Sequence, residues 1–379
     1  MVKLNESHFE MLPYPSYRPD PTPTFTLSQF TIPNNPVKDA LFLHNFVSSN
    51  LTLQDCVFRP ANSQCPDEDI SYYLYTNGKR EPVDYTITDW LRQSIWDPLK
   101  EDIMLIHGYA GGDDQLPMVV LRDAYIRNGS YNVWIVDWGK LSPPPCYRAG
   151  VNNMRTVGKC TGELLSSLRT AGLQTERLTC IGHSLGSHVC GLISRFVNFR
   201  LHRIVALDPA RPFVPPGVRL SSGNALAVHV LHTNAGHYGG GGRGGHVDFC
   251  INGGRIQPYC ENADIDVQLC SHVWAICYMA ESLFPSSVKM AEPCSRRCPT
   301  GPRPGTRVGL PVEMGHGTPL AATGSYCIQN KYPPYCPRRP GDIGDNRCCL
   351  NPPGTVLSSS STPTEVPESL NPTTFNIFS

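Results

Sequence analysis

The sequence of 379 residues has no excess of charge of either sign. Lys and Arg together number 32, as do Asp and Glu, so the formal net charge at pH 7 is zero. A nucleic-acid-binding surface needs a basic patch or stripe, and the absence of one argues against a nucleic acid as partner. The apolar runs are also much shorter than the ~20 residues of a membrane-spanning helix.

Two further patterns are missing. The cysteines form no CxxC…CxxC zinc pattern, and the opening MVKLNESHFEMLPYPSYRPDPTP lacks the apolar core of a signal peptide. What is present points to an oxidising, secreted or luminal environment, because 16 cysteines are many for a cytosolic protein. N-glycosylation acceptors at Asn5, Asn50 and Asn128 agree with this. We therefore expect a secreted, disulfide-bonded glycoprotein. Because the opening has no signal peptide, either the true start lies upstream, or the opening segment is wrongly assigned, or the cysteines are reduced, and we favour the first two explanations.

Composition divides the chain into three parts. Residues 1–55 are Pro-rich and are predicted to form a flexible arm, and residues 351–379 are a Ser/Thr/Pro-rich segment predicted to be a disordered tail. Residues 56–350 are expected to form one folded domain. Within it, the Cys-, Pro- and Gly-rich residues 290–350 are predicted to form a disulfide-stapled peripheral layer.

Short apolar segments alternate with helical patterns in this domain. Strands are predicted at residues 102–109, 131–138, 177–183, 202–208 and 226–233, and helices near 151–170, 185–198 and 271–285. Nearly continuous apolar runs are typical of strands buried on both faces of a sheet. The alternation therefore predicts an α/β fold, with a mostly parallel central sheet flanked by helices.

One strand-to-helix junction carries Gly182-His183-Ser184-Leu185-Gly186. Gly-x-Ser-x-Gly in this context is the pattern of a nucleophile elbow, a sharp turn that excludes bulky neighbours and lifts the serine oxygen beside a helix N-terminus. The alternative is a structural Gly–Ser turn. Because an apolar run precedes the pattern and a helical run follows it, we predict that Ser184 is a nucleophile.

A serine nucleophile needs a general base, which in turn needs an orienting carboxylate. In α/β-hydrolases these follow the serine in the order acid, then histidine. Asp208 ends the strand after the elbow and is the predicted acid, although Asp-Pro is also typical of a plain turn. Among 12 histidines, His272 begins a helix late in the chain and is the predicted base, with His246 as the alternative.

The oxyanion of such a reaction needs hydrogen-bond donors. The segment LIHGYAGG, residues 105–112, ends a predicted strand in a His-Gly pair and a turn. One donor is expected from the backbone of such a loop and the other from the residue after the nucleophile. We predict that the amides of Tyr109 and Leu185 form the oxyanion hole.

The segments LIHGY, NVWIVDW, IGHSLGSH, ALDPARP, VHVLHTNAG, GHVDFCINGG, CSH and MGH together resemble the animal lipase family of pancreatic and lipoprotein lipases, and within it the phospholipase A1 branch known from insects. The resemblance implies an α/β-hydrolase fold and a secreted serine ester hydrolase without a cofactor. Ser184 would attack the ester, His272 would transfer the proton and Asp208 would orient the imidazole. The expected partners are a phospholipid or glyceride substrate and a lipid surface contacted peripherally.

The resemblance also implies a lid closed by a disulfide between Cys260 and Cys270. The enclosed segment, ENADIDVQL, is short and contains three acidic residues, whereas triacylglycerol lipases of the family have a longer, amphipathic lid. The short lid and the compact loop at residues 234–246 favour a phospholipase A1 that cleaves the sn-1 acyl ester. A neutral glyceride lipase is the alternative, and a non-catalytic, yolk-protein-like lipid-binding protein is the remote one.

No metal is expected. The calcium-binding carboxylates of the pancreatic branch align near PPGVRLSSGNA, where this sequence has Pro216, Ser221 and Asn224 and retains only Arg219.

Disulfide connectivity beyond the lid stays open. Cys180 and Cys190 flank the elbow either as a disulfide or as two buried thiols. Proximity suggests Cys56 with Cys65 and Cys146 with Cys160, and Cys65 with Cys146 is an alternative. An extra staple outside the family pattern is expected from Cys327, Cys336, Cys348 and Cys349.

Overall fold

The strands predicted from apolar runs lie at the centre of one large sheet. The computed structural model describes residues 53–84, 86–87, 89–115, 118–261, 266–284, 288–294, 298 and 309–330. Nearly all of the predicted arm and the whole predicted tail lie outside these residues, as do the acceptors Asn5 and Asn50. The boundaries of the arm and the tail therefore remain predictions.

Eleven strands form the sheet within the described residues. They are β1 (Ser71–Thr76), β2 (Lys79–Pro82), β3 (Glu101–Ile106), β4 (Tyr131–Asp137), β5 (Thr179–His183), β6 (Leu201–Leu207), β7 (Ala225–His232), β8 (Val247–Ile251), β9 (Lys289–Pro293), β10 (Val312–Met314) and β11 (Gly324–Ile328). Their order is β10-β9-β11-β8-β7-β6-β5-β3-β4-β1-β2. Neighbours from β11 to β4 are parallel, and the outer pairs are antiparallel. The predicted mostly parallel sheet is confirmed.

Helices cover both faces of this sheet. They are α1 (Trp90–Gln93), α2 (Met118–Asn128), α3 (Tyr147–Ala171), α4 (Leu185–Ile193) and α5 (Val267–Glu281). Helices α1, α3 and α4 bury their apolar side chains in the core on one face, and α2 buries its own in the core on the other face together with most of α5. Consecutive residues of β3 alternate between the cores, since Met104 and Ile106 face the first and Ile103 and Leu105 the second. This double burial explains the continuous apolar runs and confirms the α/β fold.

Six disulfides join described residues: Cys56–Cys146, Cys65–Cys160, Cys180–Cys190, Cys250–Cys298, Cys260–Cys270 and Cys294–Cys327. The pairings suggested by proximity, Cys56 with Cys65 and Cys146 with Cys160, are wrong, and so is the alternative Cys65–Cys146.

Helix α3 explains this error. Cys146 caps the N-terminus of α3 and Cys160 lies within it, roughly 21 Å further along the axis, whereas the Cα atoms of a disulfide lie within about 7 Å of each other. The segment before β1 runs beside the helix, as the 2.8 Å hydrogen bond from the Arg59 backbone N–H to Oδ1 of Asn153 shows. Each helix cysteine therefore pairs with that segment.

The C-terminal strands form the disulfide-stapled layer that composition predicted. Cys294 beside β9 bonds to Cys327 on β11, and Cys298 bonds to Cys250 on β8. Cys327 was expected to pair with one of three later cysteines, and this expectation is wrong. The three later cysteines, Cys336, Cys348 and Cys349, lie outside the described residues. No helix in the described part of the chain is long and apolar enough to cross a bilayer.

Candidate active site

Ser184 occupies a strained turn between β5 and α4. Its φ and ψ are 56° and −120°, a conformation that costs free energy and persists only where its surroundings enforce it. Two hydrogen bonds hold the turn: the Ser184 N–H donates to the carbonyl of Leu207 at 3.0 Å, and the Ala210 N–H donates to the carbonyl of Ser184 at 3.2 Å. The serine is thereby fixed against the end of β6.

The two glycines of the motif are required by close packing. A Cβ atom at Gly182 would overlap the backbone of Gly186, and a Cβ at Gly186 would overlap the carbonyl of Ile106 on β3. Larger residues would therefore push β5, α4 and β3 apart. The same holds for Gly108, where a Cβ would lie 2.7 Å from Cβ of Ser184.

Asp208 follows β6 and is completely buried. Its Oδ1 accepts hydrogen bonds from the backbone N–H groups of Thr233 and Asn234, both at 3.0 Å. Its Oδ2 lies 2.6 Å from Nδ1 of His272. A Cβ at Gly239 would overlap the carboxylate, so the Gly-rich loop closes directly over it. The carboxylate has donors on both oxygens, as a buried charge requires.

His272 lies in the second turn of α5 and is nearly buried. The bond to Asp208 assigns the ring proton to Nδ1, which leaves Nε2 as a proton acceptor. The edge of Tyr238 packs against the imidazole, with ring centroids 5.7 Å apart. The fold therefore brings together the acid and the base that the sequence predicted, and the base lies close to the elbow because its ring also contacts His183, 4.6 Å away between centroids.

His183 holds the backbone of His272, the predicted base, through a contact that the sequence did not indicate. Its Nε2–H donates to the backbone carbonyl of His272 at 3.1 Å. Burial, together with the neighbouring His272, lowers the pKa of His183 well below its ordinary value. His183 is therefore neutral and serves as a fixed donor. Its place directly before Ser184 was the only signal in the sequence.

The loop after β3 approaches the serine and is held by a tryptophan. The Trp138 N–H donates to Nε2 of His107 at 2.9 Å, and its Nε1–H donates to the carbonyl of His107, also at 2.9 Å. The two rings stack at 5.5 Å, and Nδ1–H of His107 donates to the carbonyl of Gly108 at 2.8 Å. This arrangement fixes the backbone that leads into Tyr109.

The two predicted oxyanion donors, Tyr109 and Leu185, belong to segments next to Ser184. Leu185 is the first residue of α4, so its N–H has no acceptor within the helix. Tyr109 follows Gly108, which packs against the serine. The positive end of the α4 dipole adds to the electrostatic attraction for an anion here.

The lid disulfide predicted from the family resemblance is present between Cys260 and Cys270. Residues 262–265 of the enclosed segment lie outside the described part of the chain. Its acidic residue Asp266 caps α5, because Oδ1 accepts from the N–H groups of Gln268 at 3.0 Å and Leu269 at 2.8 Å. The segment that the disulfide encloses thus also fixes the start of the helix that carries His272, the predicted base.

Other candidates from the sequence lie elsewhere. His246 precedes β8 and accepts the Val228 N–H at 3.0 Å. It therefore lies where β8 begins, whereas Ser184 lies where the parallel strand β5 ends. Where the calcium ligands of the pancreatic branch would align, Oδ1 of Asn224 accepts the Ser221 N–H at 2.8 Å. Within the described residues, no three His, Cys, Asp or Glu side chains are grouped as a metal site would need.

Aromatic side chains form a row beside the elbow. Tyr109 meets Tyr147 edge to face at 5.1 Å, and Tyr147 meets Phe213 at 6.4 Å between ring centroids. Phe213 remains 41% exposed. Tyr109 and Tyr147 are buried, so Phe213 is the member of the row that reaches the solvent.

Several known proteins have sequences similar to this chain. Phospholipase A1 member A of Bos taurus is 33% identical over 199 residues, which cover 51% of this chain and 43% of that protein. Pancreatic triacylglycerol lipase of Myocastor coypus is 30% identical over 241 residues, which cover 56% of this chain and 52% of that protein. The chain spans about half the length of these curated relatives.

Among solved structures, a phospholipase/carboxylesterase from Dyadobacter fermentans DSM 18053 aligns with a TM-score of 0.30 and 13% identity, over 45% of this chain and 75% of that chain. This likeness is too weak to bear on activity. The protein-family model for the family named Lipase, in contrast, matches residues 47–297, well over half of the chain. The resemblance inferred from the motifs is confirmed, and the chain belongs to the lipase family.

Proposed function

We propose that this protein is a secreted phospholipase A1, a serine ester hydrolase that releases the sn-1 acyl chain of phospholipids. The observation that carries the proposal is the buried pair of His272 and Asp208, joined at 2.6 Å beside a strained Ser184. A histidine that is hydrogen-bonded to a buried carboxylate and lies next to a serine held in a strained turn is the arrangement that activates a hydroxyl for acyl transfer.

In the proposed reaction, Oγ of Ser184 attacks the ester carbonyl while Nε2 of His272 accepts the hydroxyl proton. The contact between these two atoms is part of the proposal. The amides of Tyr109 and Leu185 stabilise the oxyanion, and Asp208 stabilises the imidazolium. His272 then protonates the leaving alcohol, and water, deprotonated by the same imidazole, hydrolyses the acyl-enzyme.

Two features support a phospholipid over a triacylglycerol. The lid between Cys260 and Cys270 spans only ten positions, so it covers little apolar surface and leaves room at the cleft for a charged headgroup. The relative from Bos taurus is itself named a phospholipase A1. A glyceride lipase remains the alternative function, because the relative from Myocastor coypus is named a triacylglycerol lipase.

The proposed site of action is an extracellular lipid surface, contacted peripherally. Six disulfides among the described residues suit an oxidising compartment. The glycosylation acceptor Asn128 is exposed at the end of α2. The exposed Phe213 supplies apolar contact with acyl chains.

A positional assay tests the proposal. Phosphatidylcholine labelled separately on each acyl chain is incubated with the protein, and the fatty acid released is identified, with triolein as the competing substrate. We expect release from the sn-1 position, abolished in Ser184→Ala and retained in Ser194→Ala, whose hydroxyl lies at the end of α4. Preference for triolein would support the alternative function, and hydrolysis surviving in Ser184→Ala would refute the assignment of the nucleophile.

A further inference from the structure

A pocket of about 270 Å³ opens beside the elbow, on the face of the sheet that α4 covers. Arg211, Arg219 and Arg243 line it together with Gly240, Gly241 and Gly242 of the Gly-rich loop. It therefore combines guanidinium groups with the backbone of a glycine run. Neither element takes part in the proposed attack on the ester.

The arginines keep their positive charge largely uncompensated. Arg211 donates to the carbonyl of Gly236 at 2.8 Å, Arg219 to that of Val214 at 3.0 Å, and Arg243 to that of His246 at 2.8 Å. These acceptors are neutral. Among the described residues no carboxylate lies within 4.0 Å of Arg211 or Arg219, since neither forms an ion pair. Only Arg243 approaches a carboxylate, with its Nε 3.7 Å from Oδ2 of Asp248.

Asp248 is itself occupied by other donors. Its Oδ1 contacts Nε2 of the buried His232 at 2.9 Å, and its oxygens accept the N–H groups of Gly244 and Gly245 at 3.0 and 3.2 Å. Burial alone would lower the pKa of His232, but Asp248 raises it above its ordinary value. The other nearby carboxylate, Asp208, is committed to His272. The pocket therefore has a net positive charge.

The glycine run adds neutral donors to the same pocket. In the described part of the chain, the backbone N–H groups of Gly241, Gly242 and Arg243 have no acceptor, whereas those of Gly240 and His246 donate to backbone carbonyls. Gly241, Gly242 and Arg243 are exposed to solvent, so a ligand can approach this part of the backbone. Adjacent free amides flanked by guanidinium groups form the kind of concavity that binds phosphate oxygens.

The pocket is adjacent to the nucleophile. Pro209 and Ala210 form part of its wall, and the Ala210 N–H is bonded to the carbonyl of Ser184 at 3.2 Å. His188, another lining residue, lies one helical turn after Ser184, roughly 6 Å along the axis. A single layer of backbone therefore separates the pocket from the elbow.

We infer that this pocket binds a phosphate group through Arg211, Arg219, Arg243 and the free amides of the glycine run. Two sources share this chemistry, the phosphodiester of a phospholipid headgroup and free phosphate. Only the first rests on the proposed function. In that case the pocket fixes the headgroup while the neighbouring ester reaches Ser184.

Inorganic phosphate is the probe, titrated by calorimetry at constant ionic strength into full-length Ser184→Ala protein, with chloride as the reference anion. We expect binding that weakens by about tenfold or more when Arg219→Gln and Arg243→Gln are added. Arg200→Gln is the matched control and should change nothing, because Arg200 also donates to a backbone carbonyl, that of Ala225 at 3.1 Å, but lies outside the pocket. Melting temperatures check that each variant folds.

A second arm identifies the source of the phosphate. Inorganic phosphate is added to the wild-type protein during hydrolysis of phosphatidylcholine and of a short neutral ester. Inhibition of the first reaction alone supports the headgroup, and binding without inhibition supports free phosphate. Absence of phosphate binding, or equal binding by the double arginine variant, would overturn the inference. Failure to cleave any phospholipid would refute the proposed function, while the titration would still decide on the pocket.

Discussion

Nδ1 of His272 and Oδ2 of Asp208 lie 2.6 Å apart although 64 positions separate the two residues in the chain. His272 comes from helix α5, which also carries Cys270 of the lid disulfide, and Asp208 from the end of a central strand. The carboxylate is inaccessible to water, so its charge acts on the imidazole through a medium of low polarity. A pair in this setting both orients the imidazole and stabilises its charged form.

The substitution Asp208→Asn tests this pair. The asparagine keeps an acceptor for the Thr233 and Asn234 amides but favours the wrong tautomer of His272, so we expect kcat to fall by about 10⁴ with the fold retained. Rates of ester hydrolysis measure the fall in kcat, and circular dichroism checks that the fold is retained. Asp123→Asn, which removes a surface carboxylate paired with Arg122, should retain full activity. More than a tenth of wild-type activity in Asp208→Asn would contradict the role proposed for Asp208.

His183 is predicted to position the base. His183→Phe removes the donor to the His272 carbonyl but keeps a ring of similar shape, and we expect kcat to fall about tenfold while KM stays unchanged. His183→Gln, which retains an N–H donor, should recover part of the loss. The rate of organophosphate labelling of Ser184 is measured alongside. Equal loss in both variants, in step with the melting temperature, would indicate a purely structural residue.

Gly186→Ala should destabilise the fold. The new methyl group would overlap the carbonyl of Ile106, and forcing atoms into a packed core costs about 3 kcal/mol or more. Chemical denaturation measures the free energy of unfolding. Gly217→Ala is the matched control, because its methyl group would meet nothing within 4 Å. Similar stability of the two variants would show that the elbow tolerates a wider turn than the structure indicates.

The His232–Asp248 pair makes stability depend on pH. The pKa of His232 is raised in the folded protein, so the folded state holds this proton more tightly than the unfolded state. The resulting stabilisation is complete below about pH 6.5 and is lost as the pH rises through the raised pKa. We expect the free energy of unfolding of the wild type to decline over this range more steeply than that of His232→Asn.

Denaturation curves from acid to alkaline pH measure this difference. His202→Asn is the contrasting variant, because burial and Arg203 lower the pKa of His202. Its effect on the pH dependence should therefore have the opposite sign. Parallel curves for the wild type and His232→Asn would show that the proton on His232 contributes nothing to stability.

The sequence predicted the centre of the fold better than its edges. Strands β3 to β7 are buried on both faces, so burial alone makes their sequences apolar and recognisable. Strand β1 has the mixed burial of a strand near the edge of the sheet, and its Tyr75 bonds to Asp113 at 2.7 Å, a contact between distant positions. Helix α2 carries Leu121, Ala124 and Tyr125 at helical spacing, but the Val119-Val120 pair gives it low helical propensity.

The residues of the site also differ in how far the sequence could predict them. Ser184 and Asp208 each follow an apolar strand, so their positions could be inferred from local patterns together with the chain order of the fold. His183 and the three arginines of the phosphate pocket could not, because their roles depend on which loops meet in space. Disulfide pairing failed for the same reason, since the path of the chain beside α3 is a tertiary feature.

Cys180 on β5 and Cys190 on α4 are bonded to each other, which closes a covalent ring around the elbow. Adsorption to an oil–water boundary commonly unfolds the parts of a protein that contact the boundary. The ring ties α4, whose residues are all buried, to β5 next to the elbow, so that unfolding which starts beyond Cys190 leaves the hydroxyl in its orientation. A thiol reductant would remove this tether and leave the strained turn to be held by hydrogen bonds and packing alone.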